Sequence, residues 1–511
     1  MENKSISQRI TVFHGRTAPE EGELVGYGAL IDYYLLAMPI PNKLSLISLK
    51  TRQYNHSEWR VFTPRHMPDD SLYKHIIFAL RYEGINLLFF KKLFEKLEVS
   101  AIEELVQIEP MGQYSRKIWF LFEWLMGIKL EIPSLNKGNY VELIDTTLQY
   151  AIKGVSSSRH RVVNNLPGVV GFCPLVFKTE KLENYLASQL SEKKINYLKE
   201  IRKDVLQRAS AFLLLKDSKA SFTIEGENPP NIRAVRWGKA IGQAGAKELS
   251  KKEFLRLQQT VIENSRFTKM GYRDEGGFVG EHDRDSGEPL PEHISAKWQD
   301  VESLVDGLIE VTNVLEHSDF DAVIAASNIA FGFIFIHPFA DGNGRIHRYL
   351  IHHILAKMQF AQQGVIFPVS ASILNHIDDY RRVLEDVSHP ILDFIEWKPT
   401  TNHNIEVTNE TADYYRYYDG TQQAEFLYDC VNDTIENIIP NEVNYLQKFD
   451  EMKRYLENKF EMPDKMIALL IRFLEQNDGS LSQRSRKKDF EALSDIEISE
   501  IEQTFSGIFI E

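Results

Sequence analysis

Three observations predict a mostly α-helical chain. Apolar residues recur at helical spacing in long segments, as Leu182, Leu186, Leu190, Leu198, Ile201, Val205 and Phe212 do within residues 180–215. Two capping boxes, Ser250-Lys-Lys-Glu253 and Ser494-Asp-Ile-Glu497, mark helix starts. Strand signals, by contrast, are short. They are Arg60-Val-Phe-Thr-Pro-Arg65, which stops at its proline, and a hairpin candidate of Gly276-Gly-Phe-Val-Gly280 against Asp285-Ser-Gly287.

In chain order, residues 1–155 read as a mixed α/β domain of no assigned role, with one helix over 75–97 carrying Ile77, Leu80, Leu87 and Leu88. Lys153-Gly-Val-Ser-Ser-Ser-Arg-His160 and Leu166-Pro-Gly-Val-Val-Gly-Phe172 have the composition of a linker. A helical core over 175–400 follows. Within it the 180–215 pattern gives way to Lys219-Ala-Ser-Phe-Thr-Ile-Glu-Gly-Glu-Asn-Pro-Pro230, where the double proline stops a helix. Ser250 opens a helix through Ile262. Residues 271–291 form a long glycine- and proline-rich stretch, and loops of that length are usually functional or disordered. Trp298, Val301, Leu304, Val305, Leu308 and Ile309 form the next apolar stripe. Residues 401–511 are again helical, with Pro463 at a first turn and Asn477-Asp-Gly479 as a stop.

Composition narrows the class. The chain has 511 residues, 43% of them hydrophobic and 26% charged, an ordinary globular balance. No apolar run reaches the ~18 residues of a membrane span, and the first residues lack a secretory signal pattern. The two cysteines, Cys173 and Cys430, make neither a disulfide framework nor a zinc cluster. A cytoplasmic location with no membrane partner is the expectation. The net charge of −14 argues against nucleic acid as a partner. The one basic cluster, Arg484-Ser-Arg-Lys-Lys488, reads as a solvated helix face.

The chemistry concentrates in His337-Pro-Phe-Ala-Asp-Gly-Asn-Gly-Arg-Ile-His-Arg348. An apolar run, Ala330-Phe-Gly-Phe-Ile-Phe-Ile336, precedes it, and Ile346, Leu350, Ile354 and Met358 follow as a core-facing stripe. The pattern is buried helix, tight loop, buried helix. Gly342, Asn343 and Gly344 open the second helix, whose first backbone N–H groups lack partners and carry partial positive charge. That is an anion hole suited to phosphate. Arg345 and Arg348 share a helix face and suit more than one phosphate group. Asp341 suits Mg²⁺, which takes one or two carboxylates plus phosphate oxygens and waters. His337 is the loop's base of near-neutral intrinsic pKa. Each residue alone has a plain structural reading; the conjunction points to a nucleotide-phosphate site with a general base. It is neither a Walker A loop nor a Rossmann fingerprint. His347, His352 and His353 lack metalloprotease spacing and read as structural.

These residues resemble the signature of the Fic (Fido-fold) family, His-x-Phe-x-Asp/Glu-Gly-Asn-Gly-Arg-x-x-Arg. His337, Phe339, Asp341, Gly342, Asn343, Gly344, Arg345 and Arg348 match every fixed position. The resemblance covers residues 180–400, and more weakly the C-terminal helices. It implies a Fido helical core with a β-hairpin flap. The implied activity is AMP transfer from ATP to a Ser, Thr or Tyr hydroxyl of a target protein, with the chain itself among the candidate targets. In that scheme His337 is the base and Asp341 binds Mg²⁺. Backbone N–H groups of Gly342, Asn343 and Gly344 bind phosphate, Asn343 orients the α-phosphate, and Arg345 and Arg348 hold the β- and γ-phosphates. Phe339 is an apolar anchor.

Further segments resemble family parts. Ser221-Phe-Thr-Ile-Glu-Gly226 fits the inhibitory pattern Ser/Thr-x-x-x-Glu-Gly/Asn in its class II position, on a helix near 217–226. By that resemblance Ser221, Glu225 and Gly226 form an inhibitory element in which Glu225 pairs with Arg348. Phe278, Val279 and Gly280 resemble the flap that clamps a target strand, and Tyr380 is a candidate to stack on adenine or else a core tyrosine. Homodimers are common in the family, so one is left open here. Two other functions stay open as well. One is a different transfer on the same fold, including removal of AMP. The other is a regulator whose terminal domains bind DNA or a partner protein.

Overall fold

The computed structural model describes residues 5–50, 52–56, 58–190, 192–193, 197, 201–262, 265–361 and 367–509. The chain begins with a five-stranded sheet built from β1 (Gln8–Phe13), β2 (Arg16–Val25), β3 (Leu44–Ser48), β4 (Tyr54–His56) and β5 (Trp59–Phe62), in the order β1-β2-β3-β5-β4. β3 and β5 run parallel, with Leu46 opposite Val61, and the other pairs are antiparallel. Five helices accompany the sheet: α1 (Gly26–Tyr34), α2 (Leu72–Tyr82), α3 (Leu87–Lys96), α4 (Val99–Gln107) and α5 (Gln113–Met126). The single helix expected over 75–97 is two. Gly84 takes φ 84°, and the Asn86 side chain accepts the Phe89 N–H at 2.9 Å, so the chain stops and recaps between them.

The linker-like stretch is packed rather than free. β6 (Val141–Glu142), β7 (Val155–Ser157) and β8 (Val162–Asn164) form a small sheet in the order β6-β8-β7. Val162, Leu166 and Phe172 are buried. The Phe172 ring lies against Gly332, where an added Cβ would come within 2.1 Å of its Cζ. Its glycines serve close packing: an added Cβ would come within 2.5 Å of Val163 at Gly154 and within 2.7 Å of Cys173 at Gly168.

Next come α6 (Glu180–Ala187), α7 (Lys203–Thr223), α8 (Asn231–Ile241) and α9 (Lys251–Ile262). The pattern over 180–215 is therefore not one helix. The Ser188 hydroxyl donates to Tyr185 O at 2.7 Å and Gln189 takes φ 51°, which ends α6. Leu198 lies outside the described residues. The Ser250 hydroxyl accepts the Glu253 N–H at 3.2 Å, as its capping box predicts. The hairpin is present as β9 (Phe278–His282) and β10 (Pro289–Ile294), antiparallel, with Phe278 opposite Ile294.

The helical core continues through α10 (Val301–Glu316), α11 (Ala322–Ile336), α12 (Asn343–Lys357), α13 (Val369–Asn375) and α14 (Ile377–Leu392). A second hairpin follows, β11 (Trp397–Pro399) with β12 (Ile405–Val407), then α15 (Ala412–Arg416) and α16 (Thr421–Asp433). A π turn at Thr434–Ile438 leads into α17 (Ile439–Phe460). The chain closes with α18 (Asp464–Gln476), α19 (Gln483–Lys488) and α20 (Asp495–Phe509). The second capping box forms in both directions: Ser494 N donates to Glu497 Oε2 at 2.7 Å and Glu497 N to Ser494 Oγ at 3.4 Å.

One buried apolar cluster runs from Ile6 to Leu446, and a second joins Met452 to Phe505. α11 is apolar on nearly every side and sits inside the first cluster, as an all-round apolar helix must. α12 packs along it, tied by a hydrogen bond of 2.7 Å between His347 Nδ1 and Ala330 O. Among the described residues no helix is long and apolar enough to cross a membrane.

Candidate active site

The loop between α11 and α12 carries the chemistry, and its shape follows from a few local choices. His337 leaves α11 in the left-handed region, at φ 52° and ψ 60°, while its N–H still reaches Phe333 O at 3.0 Å. Gly342, at φ 97°, starts α12. Between them Asn343 closes the loop on itself. Its Oδ1 accepts Phe339 N–H at 3.0 Å and its Nδ2 donates to Phe339 O at 2.7 Å. Phe339 is buried beside Phe333 and Tyr272, an apolar anchor as expected.

His337 is partly exposed, but its Nδ1 is shut off from solvent, with the Ile334 carbonyl beside the ring. Burial, and then the charge of Arg273, push its pKa down to about 4. The imidazole is neutral at physiological pH, the state a base needs. The neighbouring ring is His293 of β10, 6.3 Å away between centroids. His293 is itself held by Phe335 O and Ser388 Oγ, each at 2.9 Å, and burial pushes its pKa down to about 3.

Both arginines of the loop face the start of α12, and both are occupied. Arg348 is 1% exposed. Its Nε donates to Ser221 Oγ at 3.0 Å, and its Nη2 donates to Ser221 O at 2.6 Å and Glu225 Oε1 at 2.7 Å. Arg345 is 3% exposed and contacts Asp341 Oδ1 at 3.1 Å and Glu227 Oε1 at 2.7 Å. The Glu225 carboxylate presses on Gly344, where an added Cβ would meet its Oε1 at 2.0 Å. It thus lies over the first turn of α12, where an anion is most favoured. Burial raises the Glu225 pKa, but Arg348 and then Arg345 outweigh it, and the net shift is downward.

The placement of the two glutamates comes from how α7 ends. Gly226 N–H donates to Thr223 O at 2.9 Å and Glu227 N–H to Phe222 O at 3.1 Å, with Gly226 at φ 73°. This is a Schellman cap with its glycine in the C′ position. A Cβ on Gly226 would meet nothing within 4 Å, so glycine is there for its backbone angle alone. The cap turns the chain back and brings Glu227 to the same helix end as Glu225. Phe222 completes the contact, with the guanidiniums of Arg345 and Arg233 over its ring at 5.1 and 5.0 Å. Glu227 also pairs with Arg233 at 3.0 Å. Sequence reasoning missed Glu227; the glycine one residue before it was the available signal.

The remaining candidates sit around this centre. Asp341 has a half-exposed side chain with one oxygen on Arg345. Among the described residues no group of three or more His, Cys, Asp or Glu side chains is arranged for a metal. A lone accessible carboxylate fits Mg²⁺ carried in by phosphate oxygens, the usual way that ion is held. Tyr380 is buried beneath α12, its ring 5.9 Å from both His347 and Phe426. Val279 and Gly280 lie on the exposed part of β9, with Phe278 half-buried. The hairpin's back is braced by the second one. Asn404 Nδ2 donates to Gly276 O at 2.8 Å, and His282 Nε2 lies 2.7 Å from His403 O.

Residues 248–355 match the model of the Fic/DOC family. The matched stretch begins just before α9 and takes in His337, the loop that follows it and both arginines. The segment bearing Ser221, Glu225 and Glu227 lies ahead of it. Two solved structures are similar. One is a Fic family protein from Desulfovibrio desulfuricans G20, 18% identical, covering 65% of this chain and 87% of that one at a TM-score of 0.37. The other is a Fic domain containing signaling protein from Bacteroides thetaiotaomicron VPI-5482, 19% identical, covering 50% of this chain and 96% of that one at a TM-score of 0.35. No curated protein matches the chain. The architecture is a mostly helical one with small sheets, in which the stretch matching the Fic/DOC model lies between an N-terminal mixed α/β region and C-terminal helices.

Proposed function

We propose that this chain is a protein adenylyltransferase, transferring AMP from ATP to a hydroxyl of a protein target, and that residues 221–227 hold it inactive. One observation carries the reading. Two buried guanidiniums converge on a helix N-terminus beside a neutral histidine, and two carboxylates occupy them where phosphates would bind. An extended target segment pairs with the β9–β10 hairpin by backbone hydrogen bonds and brings its hydroxyl to His337. His337 takes the hydroxyl proton as the oxygen attacks the α-phosphorus. The bond to the β-phosphate oxygen breaks, AMP stays on the target and pyrophosphate leaves. Arg345 and Arg348 hold the β- and γ-phosphates, and the N–H groups of Gly342, Asn343 and Gly344 hold the transferred one. Asp341 would hold Mg²⁺, which would supply charge neutralisation at the phosphates. Positioning and charge supply most of the rate in such transfers.

In the resting protein Arg348 and Arg345 serve Glu225 and Glu227 instead. The Glu225→Gly protein, incubated with ATP and Mg²⁺, is expected to gain an AMP adduct on itself or on added proteins by mass spectrometry. The adduct should vanish when His337→Ala is added. Bound ATP with no adduct in any fraction would sink the reading. Removal of AMP is the second reading, since the Glu225 carboxylate stands over the first turn of α12, where it can orient a water. Release of AMP from a pre-modified target by the intact chain, but not by Glu225→Gly, would favour it.

A further inference from the structure

We infer that Arg273 is the positioning residue that sets His337 both in place and in charge state; this rests on the transfer reading above. Arg273 precedes the hairpin and is 6% exposed. Its Nε donates to His337 O at 2.8 Å, its Nη1 to Glu275 O at 2.9 Å, and its Nη2 to Ala296 O and to Ile336 O at 3.4 Å. Its own N–H donates to Pro338 O at 3.0 Å, and Tyr272 bridges to Phe339. One side chain thus ties the two ends of the hairpin, at Glu275 and Ala296, to the last residues of α11 and the first of the loop.

Two consequences follow from where those carbonyls are. Ile336 O and His337 O are at the C-terminal end of α11, where orphan carbonyls and the negative end of the helix dipole call for a cation. His337 is also a non-glycine residue in the left-handed region, a conformation that costs energy and persists only where neighbours enforce it. The planar fork of Arg273 meets several carbonyls at once, which the single ammonium of a lysine does not. It therefore fixes the turn that points the imidazole out of α11, and it fixes that turn relative to the hairpin on which a target lies.

The second consequence is electrostatic. Among the described residues no carboxylate pairs with Arg273; Tyr415 is the one titratable neighbour that favours its charge. The titratable and charged groups around His337 are Arg273 on the segment before β9, His293 on β10 and, along its own loop, Asp341. His293 is neutral, and the positive charge next to the His337 imidazole is the Arg273 guanidinium. A fixed positive charge there disfavours imidazolium, so His337 stays ready to accept a proton.

The test separates the two roles without depending on transfer. Histidine-labelled protein is titrated by NMR, with the His337 signal assigned by its loss in His337→Ala. Arg273→Gln should raise the His337 pKa and Arg273→Lys should leave it near the parent value. In the Glu225→Gly background both should lose transfer, by about tenfold or more, since a misplacement of ~1 Å costs up to about 10²-fold. Only the glutamine variant should also move the acid limb of the rate profile to higher pH. An unmoved His337 pKa in folded Arg273→Gln would overturn the inference. If Arg273→Gln does not fold, Arg273→Lys decides: transfer equal to the parent overturns the inference, and a tenfold loss with an unchanged melting temperature supports it. A shifted pKa alongside no transfer by Glu225→Gly would leave the inference standing and sink the adenylyltransferase reading.

Discussion

Arg273 and Arg348 are both buried guanidiniums beside one loop, yet they are held in opposite ways. Arg273 spends its donors on backbone carbonyls of Glu275, Ala296, Ile336 and His337, none of which can leave without unfolding the loop. Arg348 is balanced by a carboxylate from a different helix, and the Glu225 side chain is 34% exposed. A carboxylate and a phosphate oxygen offer a guanidinium the same charge and nearly the same geometry. On the proposed reading one arginine is part of the frame, and the other is stoppered by a group that the nucleotide replaces. Catalytic geometry is then built into the half of the site nearest the hairpin, and control into the half nearest α7.

Acid should break the framed half first and most strongly. His293 is 8% exposed and its folded pKa is pushed down to about 3; that of His337 falls to about 4. The unfolded chain takes up these protons below the ordinary histidine value of ~6.5, while the folded chain does not. Stability is therefore complete above ~6.5 and is lost as pH falls toward 3, at up to about 1.4 kcal/mol per pH unit for each histidine. Glu225 has the same sign in a lower window. Its depressed pKa gives stability that is present above the ordinary glutamate value of 4.5 and lost as pH falls below it. Urea unfolding at pH 7, 6 and 5 should show the histidine slope, and His293→Gln should flatten it by about one proton. A slope that begins only below pH 4.5 would mean the histidines are not held neutral.

How much of this division was legible in the sequence differs between the halves. The stoppered half was readable as a pattern, because Arg348, Glu225 and Gly226 lie in short contiguous motifs whose chemistry is local. Glu227 escaped because its role depends on a cap that reverses the chain after Thr223, and a lone carboxylate beyond a motif carries no signal of its own. In the framed half His337 and the hairpin were readable, but the arginine that joins them was not. Arg273 is 64 residues from His337 in sequence, and its partners are carbonyls, which every residue possesses. Tyr380 shows the same limit: its spacing gave no hint that it lies beneath α12 and not in an open groove. Helix breaks at Gly84 and Gln189 were missed for a related reason, since apolar spacing can continue across a turn that the backbone requires. The hairpin and both capping boxes were legible because their hydrogen bonds close within a few residues.

Releasing the stopper comes next in size. Glu225→Gly should tighten ATP binding by about ten- to a hundredfold, the usual range for coupling of this kind. Calorimetry without a target protein would read it, independent of chemistry. An unchanged affinity would show that Glu225 and the nucleotide do not compete for Arg348.

Glu227→Gln should have the smallest effect, a gain in ATP affinity of about two- to fivefold. The reasons lie in its surroundings. The Glu227 side chain is 32% exposed, so water screens its pairing with Arg345, and pairs so exposed are worth about 1 kcal/mol or less. Arg345 also keeps Asp341 at 3.1 Å when Glu227 is neutralised, so it is not freed outright. In the double variant with Glu225→Gly the gain should exceed the product of the two single gains. Both carboxylates are delivered by one capped helix end, and sites sharing a backbone element couple. A double variant no tighter than Glu225→Gly alone would assign Glu227 to Arg233, its partner at 3.0 Å, and leave Glu225 as the whole stopper.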